Sequence, residues 1–102
     1  MKKYIIGIDV GGTKIAGGVA SLNGKLLKEI FIATPKGSGA AIYQTIISII
    51  NELKSSCPKN SILGVGVGLP GLVDINNGKI INAPNAKGLN GFPIKKKLEK
   101  AL

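Results

Sequence analysis

The sequence contains no histidine and no arginine. Without histidine this chain can build neither a Ser-His-Asp nor a Cys-His catalytic group, and no imidazole is present to ligate a metal. Without arginine it lacks the side chain best shaped for two-pronged contacts with phosphates and guanine edges. Cys57 is the one cysteine. It makes neither a disulfide nor a zinc site on its own, and an intracellular, cytoplasmic setting is expected. Aromatic residues are equally scarce, with two tyrosines, two phenylalanines and no tryptophan. The core must therefore be aliphatic, and no aromatic side chains interleave with basic ones to stack bases. No apolar run reaches the eighteen or so residues a membrane-spanning helix needs. The Met-Lys-Lys-Tyr start passes straight into a β-prone run, without the apolar stretch and small-residue cleavage site of a signal peptide. Acidic residues number five against fourteen lysines, for a net charge of +9. The lysines are scattered except for Lys95, Lys96, Lys97 and Lys100, so loose attraction to polyanions is expected and no specific nucleic-acid partner.

What remains is aliphatic and rich in glycine. The 102 residues suit one small domain, and 44% of them are hydrophobic. Tyr4 to Val10 is an apolar run with a single carboxylate, Asp9, near its end. Gly11 and Gly12 follow where the chain must turn, then Thr13 and Lys14, and a second β-prone run starts at Ile15. Two strands around paired glycines predict a hairpin. Glycine lets backbone N–H groups approach an anion closely, since no Cβ intervenes. Thr13 adds a hydroxyl, and Lys14 is either a mobile positive charge for the anion or a plain edge lysine. An ionised Asp9 among Ile6, Ile8 and Val10 would be costly if buried alone. A hydrated divalent metal or a hydrogen-bond donor is its expected partner, the alternative being an acid that caps the turn. The stretch predicts a phosphate-holding β-hairpin.

Leu22-Asn23-Gly24 predicts a type I′ turn. Lys25 to Thr34 predicts a third antiparallel strand, with Leu26, Ile30 and Ile32 on one side and Lys28 breaking the period. Thr34 to Gly39 is a loop by composition. From Ala40 the apolar period lengthens: Ile42, Ile46, Ile49, Ile50 and Leu53 form the stripe of an amphipathic helix to about Ser55, ended by Pro58. Ile47 lies off that stripe. Ile62 to Leu69 alternates apolar residues with Gly64, Gly66 and Gly68, predicting a central strand whose bare face a helix or another backbone approaches closely. Reached through a helical crossover, it should run parallel to its sheet partner. Leu72 to Ile75 and Lys79 to Asn82 flank Asn76-Asn77-Gly78 as a second hairpin. Asp74 is turn chemistry, and Asn85, in a polar loop, either bonds a sugar hydroxyl or closes the loop. Pro93 opens a final helix, Ile94 to Leu102.

Of two familiar phosphate motifs, one is rejected and the other disfavoured. Gly7 to Lys14 nearly matches the P-loop spacing, but Thr13 and Lys14 stand in the wrong order and a strand follows where a helix must open. Gly66-Val67-Gly68-Leu69-Pro70-Gly71 satisfies the dinucleotide fingerprint in form, yet Leu72-Val73-Asp74-Ile75 reads as strand.

Three antiparallel strands, a crossover helix and a further parallel strand resemble the ribonuclease H-like (actin-like ATPase) domain, an α/β fold with a mixed sheet. More narrowly, Ile8-Asp9-Val10-Gly11-Gly12-Thr13-Lys14-Ile15-Ala16 resembles the opening motif of the ROK family of repressors and sugar kinases. The resemblance continues through Gly66 to Asp74 and Ala83-Pro84-Asn85. It implies a glucokinase-like enzyme that phosphorylates a hexose with ATP and Mg²⁺. It also implies that Gly11, Gly12, Thr13 and Lys14 hold the ATP phosphates, that Asp9 faces Mg²⁺ through water, and that Gly71 and Asn85 line the sugar cleft. The family's catalytic Asp, its Glu-x-Gly-His sugar motif, its structural zinc motif and its adenine-holding lobe are expected beyond Leu102. Residues 1–102 are thus expected to be an N-terminal lobe that is inactive alone, working with the C-terminal lobe in a homo-oligomer. A sugar-sensing repressor is the alternative. It normally carries a DNA-binding module before the hairpin, where only Met1-Lys2-Lys3 precede Tyr4, so the kinase is expected.

Overall fold

The computed structural model describes residues 2–69, 72–74, 79–82 and 93–101. Its elements run β1 (Tyr4–Val10), β2 (Lys14–Ser21), β3 (Leu26–Ala33), α1 (Gly39–Ser55), β4 (Ile62–Gly68), β5 (Leu72–Asp74), β6 (Lys79–Asn82) and α2 (Ile94–Ala101). Four strands form one sheet in the order β3-β2-β1-β4, and β5 pairs with β6 separately. β1–β2 and β2–β3 are antiparallel, while β4 lies parallel to β1. This is the mixed sheet expected of the actin-like arrangement, and α1 is the crossover that makes the parallel pair possible.

The strand period decides what each face of the sheet does. In β1, Tyr4, Ile6, Ile8 and Val10 are buried, and the residues between them are exposed. Ile15 and Val19 of β2 join that buried face, and Ile42, Ile46, Ile49, Ile50 and Leu53 of α1 pack onto it with Ile94 and Leu98 of α2. Ile47, off the main stripe, is partly buried against the same cluster. Gly17 lets α1 come close: a Cβ there would lie 2.4 Å from Cγ2 of Ile49. α1 begins at Ser38, whose hydroxyl accepts from the Ala41 N–H at 3.1 Å, a satisfied N-cap.

Three local expectations change. The turn after β2 is not type I′, which needs positive φ at both central residues. Here Gly24 has φ +88°, the Gly24 N–H donates to Ser21 O, and the Ser21 N–H donates to Lys25 O. That is a three-residue loop closed by a glycine in the left-handed region. In β3 the register slips between Val19 and Ala20 of its partner, so Leu26 reaches across Gly18 on the open face while Ile30 stays on the helix side. Lys28 does not break the period: it sits on the helix side and pairs with Glu52 of α1 at 3.5 Å. Finally, β4 is an edge strand among the described residues, and nothing lies within 4 Å of a Cβ built on Gly64 or Gly66. The bare face expected to receive a close neighbour meets none at Gly64 and Gly66 among the described residues. The Asn76-Asn77-Gly78 turn lies outside the described residues, although the β5 and β6 strands it was expected to join are paired antiparallel.

Candidate functional site

β1 and β4 run parallel, and they end side by side at Val10 and Gly68. In sheets with parallel strands, ligand sites gather at the carboxyl ends, where loops leave the sheet. Asp9 stands at that end. It pairs across the sheet with Ala16 on one side and Gly68 on the other, and a Cβ on Gly68 would lie 3.7 Å from its Oδ1. Strand alternation turns Asp9 away from Ile8 and Val10, onto the exposed face. The burial cost expected of this carboxylate therefore does not arise. What distinguishes Asp9 is position: the open face around it is floored by small residues, with Gly7, Ala16, Gly18, Gly66 and Gly68 at neighbouring register positions.

The connection from β1 to β2 is only Gly11-Gly12-Thr13. The Gly11 N–H donates to Lys14 O at 2.9 Å, and a Cβ on Gly11 would sit 2.9 Å from that same oxygen. Glycine is required here by crowding, not by φ. Thr13 and Lys14 are exposed at the tip. Lys14 Nζ lies 5.2 Å from the centre of the Phe31 ring, within cation–π range, on the same face as Asp9. The hairpin thus places a carboxylate, a hydroxyl, a lysine and glycine backbone at one end of the sheet.

Sequence reasoning placed Thr34 where the third strand meets the loop and gave it no role. It is 8% exposed, its hydroxyl donates to Gly11 O at 2.7 Å, and its N–H donates to Thr13 O at 2.9 Å. The signal available was Thr34-Pro35: a residue before proline is held extended, which carries the β3 ladder one step further. Gly71 and Asn85 lie outside the described residues, so their relation to the hairpin is left to the sequence. Among the described residues no three His, Cys, Asp or Glu side chains gather as a metal site. Asp9 fits a hydrated Mg²⁺ as a single carboxylate whose remaining ligands would be water and phosphate oxygens, the usual set for that ion. A groove of about 900 Å³ lies elsewhere, along the outer edge of β4 between Cys57, Ile62, Val65, Leu69 and Leu98.

The ROK family model matches residues 5–102. A glucokinase of Halalkalibacterium halodurans is 33% identical over 100 residues, covering 95% of this chain and 30% of its own length. A protein named as a xylose repressor from a Caldicellulosiruptor strain is 33% identical over 98 residues, covering 93% of this chain and 24% of its own. Among solved structures, a ROK family glucokinase from Streptomyces griseus in complex with glucose and AMPPNP superposes with a TM-score of 0.82 at 31% identity, over 97% of this chain and 30% of that one. The chain therefore spans about a third or less of these relatives. Its sheet order, crossover and hairpin are those of the actin-like ATPase fold as sugar kinases carry it. By its sequence over nearly its whole length and by its fold, this chain belongs to the ROK family.

Proposed function

We propose that this chain is the N-terminal lobe of a cytoplasmic, ATP-dependent hexose kinase, and that its β1–β2 hairpin holds the nucleotide phosphates. The carrying observation is the grouping of Asp9, Gly11, Gly12, Thr13 and Lys14 at the carboxyl ends of the parallel strands. Gly11 and Gly12 offer backbone without side chains, Thr13 a hydroxyl and Lys14 a charge; swinging off Phe31 would let that charge meet a phosphate. Asp9 would face Mg²⁺ through water, and the bound ion would neutralise charge on the phosphates. Positioning and charge stabilisation are most of what phosphoryl transfer asks of a protein. Gly71 and Asn85 would contact the sugar. The proton of the attacking hydroxyl would go to an Asp in the rest of the polypeptide, which would also hold the adenine. The similarity to glucokinases supports the substrate class.

The test is made on the intact protein. Thermal protection by MgATP should be strong in the parent, about 2.7 kcal/mol at a hundredfold excess over Kd, and largely lost in Asp9→Ala. Equal protection in both would remove Asp9 from the metal site. Glucose-dependent ADP release should appear only in the intact protein, and turnover by residues 1–102 alone would sink the placement of the base. The similarity to a xylose repressor sustains a second reading, a sugar sensor without catalysis. Sugar binding with no ADP release in the intact protein would favour it.

A further inference from the structure

Resting on the reading of the hairpin as a phosphate holder, we propose that Thr34 is the positioning residue that sets the hairpin for its anion. An ordinary tight hairpin closes on itself, its two end residues exchanging N–H and carbonyl. Here one half of that exchange is kept, Gly11 N–H to Lys14 O at 2.9 Å, and the Gly11 carbonyl is taken by the Thr34 hydroxyl at 2.7 Å. Thr34 also donates its own N–H to Thr13 O at 2.9 Å. One buried residue thus holds two of the peptide planes from which the turn is made. In a trans peptide the N–H points opposite to the carbonyl. Drawing the Gly11 and Thr13 carbonyls to Thr34 therefore directs the Gly12 and Lys14 N–H groups away from it and keeps both carbonyls from facing an incoming anion. With glycines at 11 and 12 the backbone has little conformational preference of its own, so the orientation must be imposed from outside. Pro35 holds Thr34 extended and withholds an N–H that would compete, which makes the brace stiff.

The brace requires a donor at position 34 on a β-branched frame. Thr34→Val keeps the shape and removes the donor. Thr34→Ser keeps the donor.

The experiment titrates inorganic tripolyphosphate, without nucleotide or sugar, into the intact protein and follows the Gly11, Gly12 and Thr13 amides by ¹⁵N NMR. It is run where urea curves show every variant fully folded. The parent and Thr34→Ser should show similar affinities, and Thr34→Val an affinity weaker by about tenfold, the consequence of one lost buried hydrogen bond. In the same samples without ligand, exchange of the Gly11 amide should quicken in Thr34→Val while that of Ile6 and Ile8 in the core stays unchanged. Thr34→Ala replaces Thr34→Val should the latter not fold. If the hairpin amides respond in the parent but Thr34→Val binds as tightly, the positioning role is overturned. If Thr34→Ser loses affinity as Thr34→Val does, it is overturned too. If the hairpin amides of the parent do not respond at all, the phosphate reading itself fails; unchanged Gly11 exchange in Thr34→Val would separately show that no brace exists.

Discussion

Replacing Gly17 by alanine tests whether α1 is seated on the sheet as closely as the structure shows. A Cβ at this position would lie 2.4 Å from Ile49 Cγ2, 3.1 Å from Ile8 Cδ1 and 3.3 Å from Leu53 Cδ1. The shortest contact is the decisive one. Ile49 is 1% exposed, and a β-branched side chain on a helix has essentially one rotamer, so the γ-methyl cannot swing aside. The helix must shift instead. Overpacking of this kind costs about 1–3 kcal/mol. Alanine also restricts the unfolded chain, which offsets about 0.4–1 kcal/mol where φ is compatible. The net expectation is a loss of about 1–2 kcal/mol, or a Tm lower by about 5–10 °C for a domain of this size. Urea unfolding followed by far-UV circular dichroism reads this directly. Gly66→Ala is the control: no described residue lies within 4 Å of its Cβ, so its stability should be unchanged or slightly raised. Ile49→Leu removes the offending γ-methyl at nearly constant volume, and in that background Gly17→Ala should lose most of its penalty. A Gly17→Ala protein as stable as the parent, or an equal penalty in both backgrounds, would refute the close seating of α1.

Two further outcomes are expected. Ser38→Ala removes the side chain that accepts from the Ala41 N–H at the start of α1 and should cost about 1 kcal/mol in urea unfolding, while Ser38→Asp should keep the cap; equal losses in both would deny the cap its role. The Lys28–Glu52 pair joins side chains that are 42% and 57% exposed, so a double-mutant cycle with Lys28→Met and Glu52→Gln should give a coupling of no more than about 1 kcal/mol that fades with added salt.

Much of the fold was legible because its signals are local. The stripe Ile42, Ile46, Ile49, Ile50 and Leu53 repeats at three and four, and all five residues are buried in α1. The paired glycines at 11 and 12 sit between two strands, as their chemistry demands. Expectations failed where a residue's meaning depends on what faces it across space. Asp9 reads as a carboxylate among aliphatic neighbours, but alternation separates it from them and gives it an open face. Lys28 reads as an interruption until Glu52 is seen beside it. Gly64 and Gly66 read as a bed for a neighbour, yet meet none among the described residues.

The sequence by itself determined the order and kind of the elements, the aliphatic core, the absence of histidine chemistry from this chain, and the glycine-rich run from Asp9 to Lys14 as the turn of the first hairpin. Those follow from composition, period and short-range turn chemistry, each contained within a few consecutive residues. Only the tertiary structure decided how that run is held. Thr34 is 23 residues from Gly11 in the chain, and its hydrogen bond to the Gly11 carbonyl exists because β3 returns alongside β2 in one particular register. Register is a property of paired strands, set by the packing of a whole face, and no window of sequence contains it.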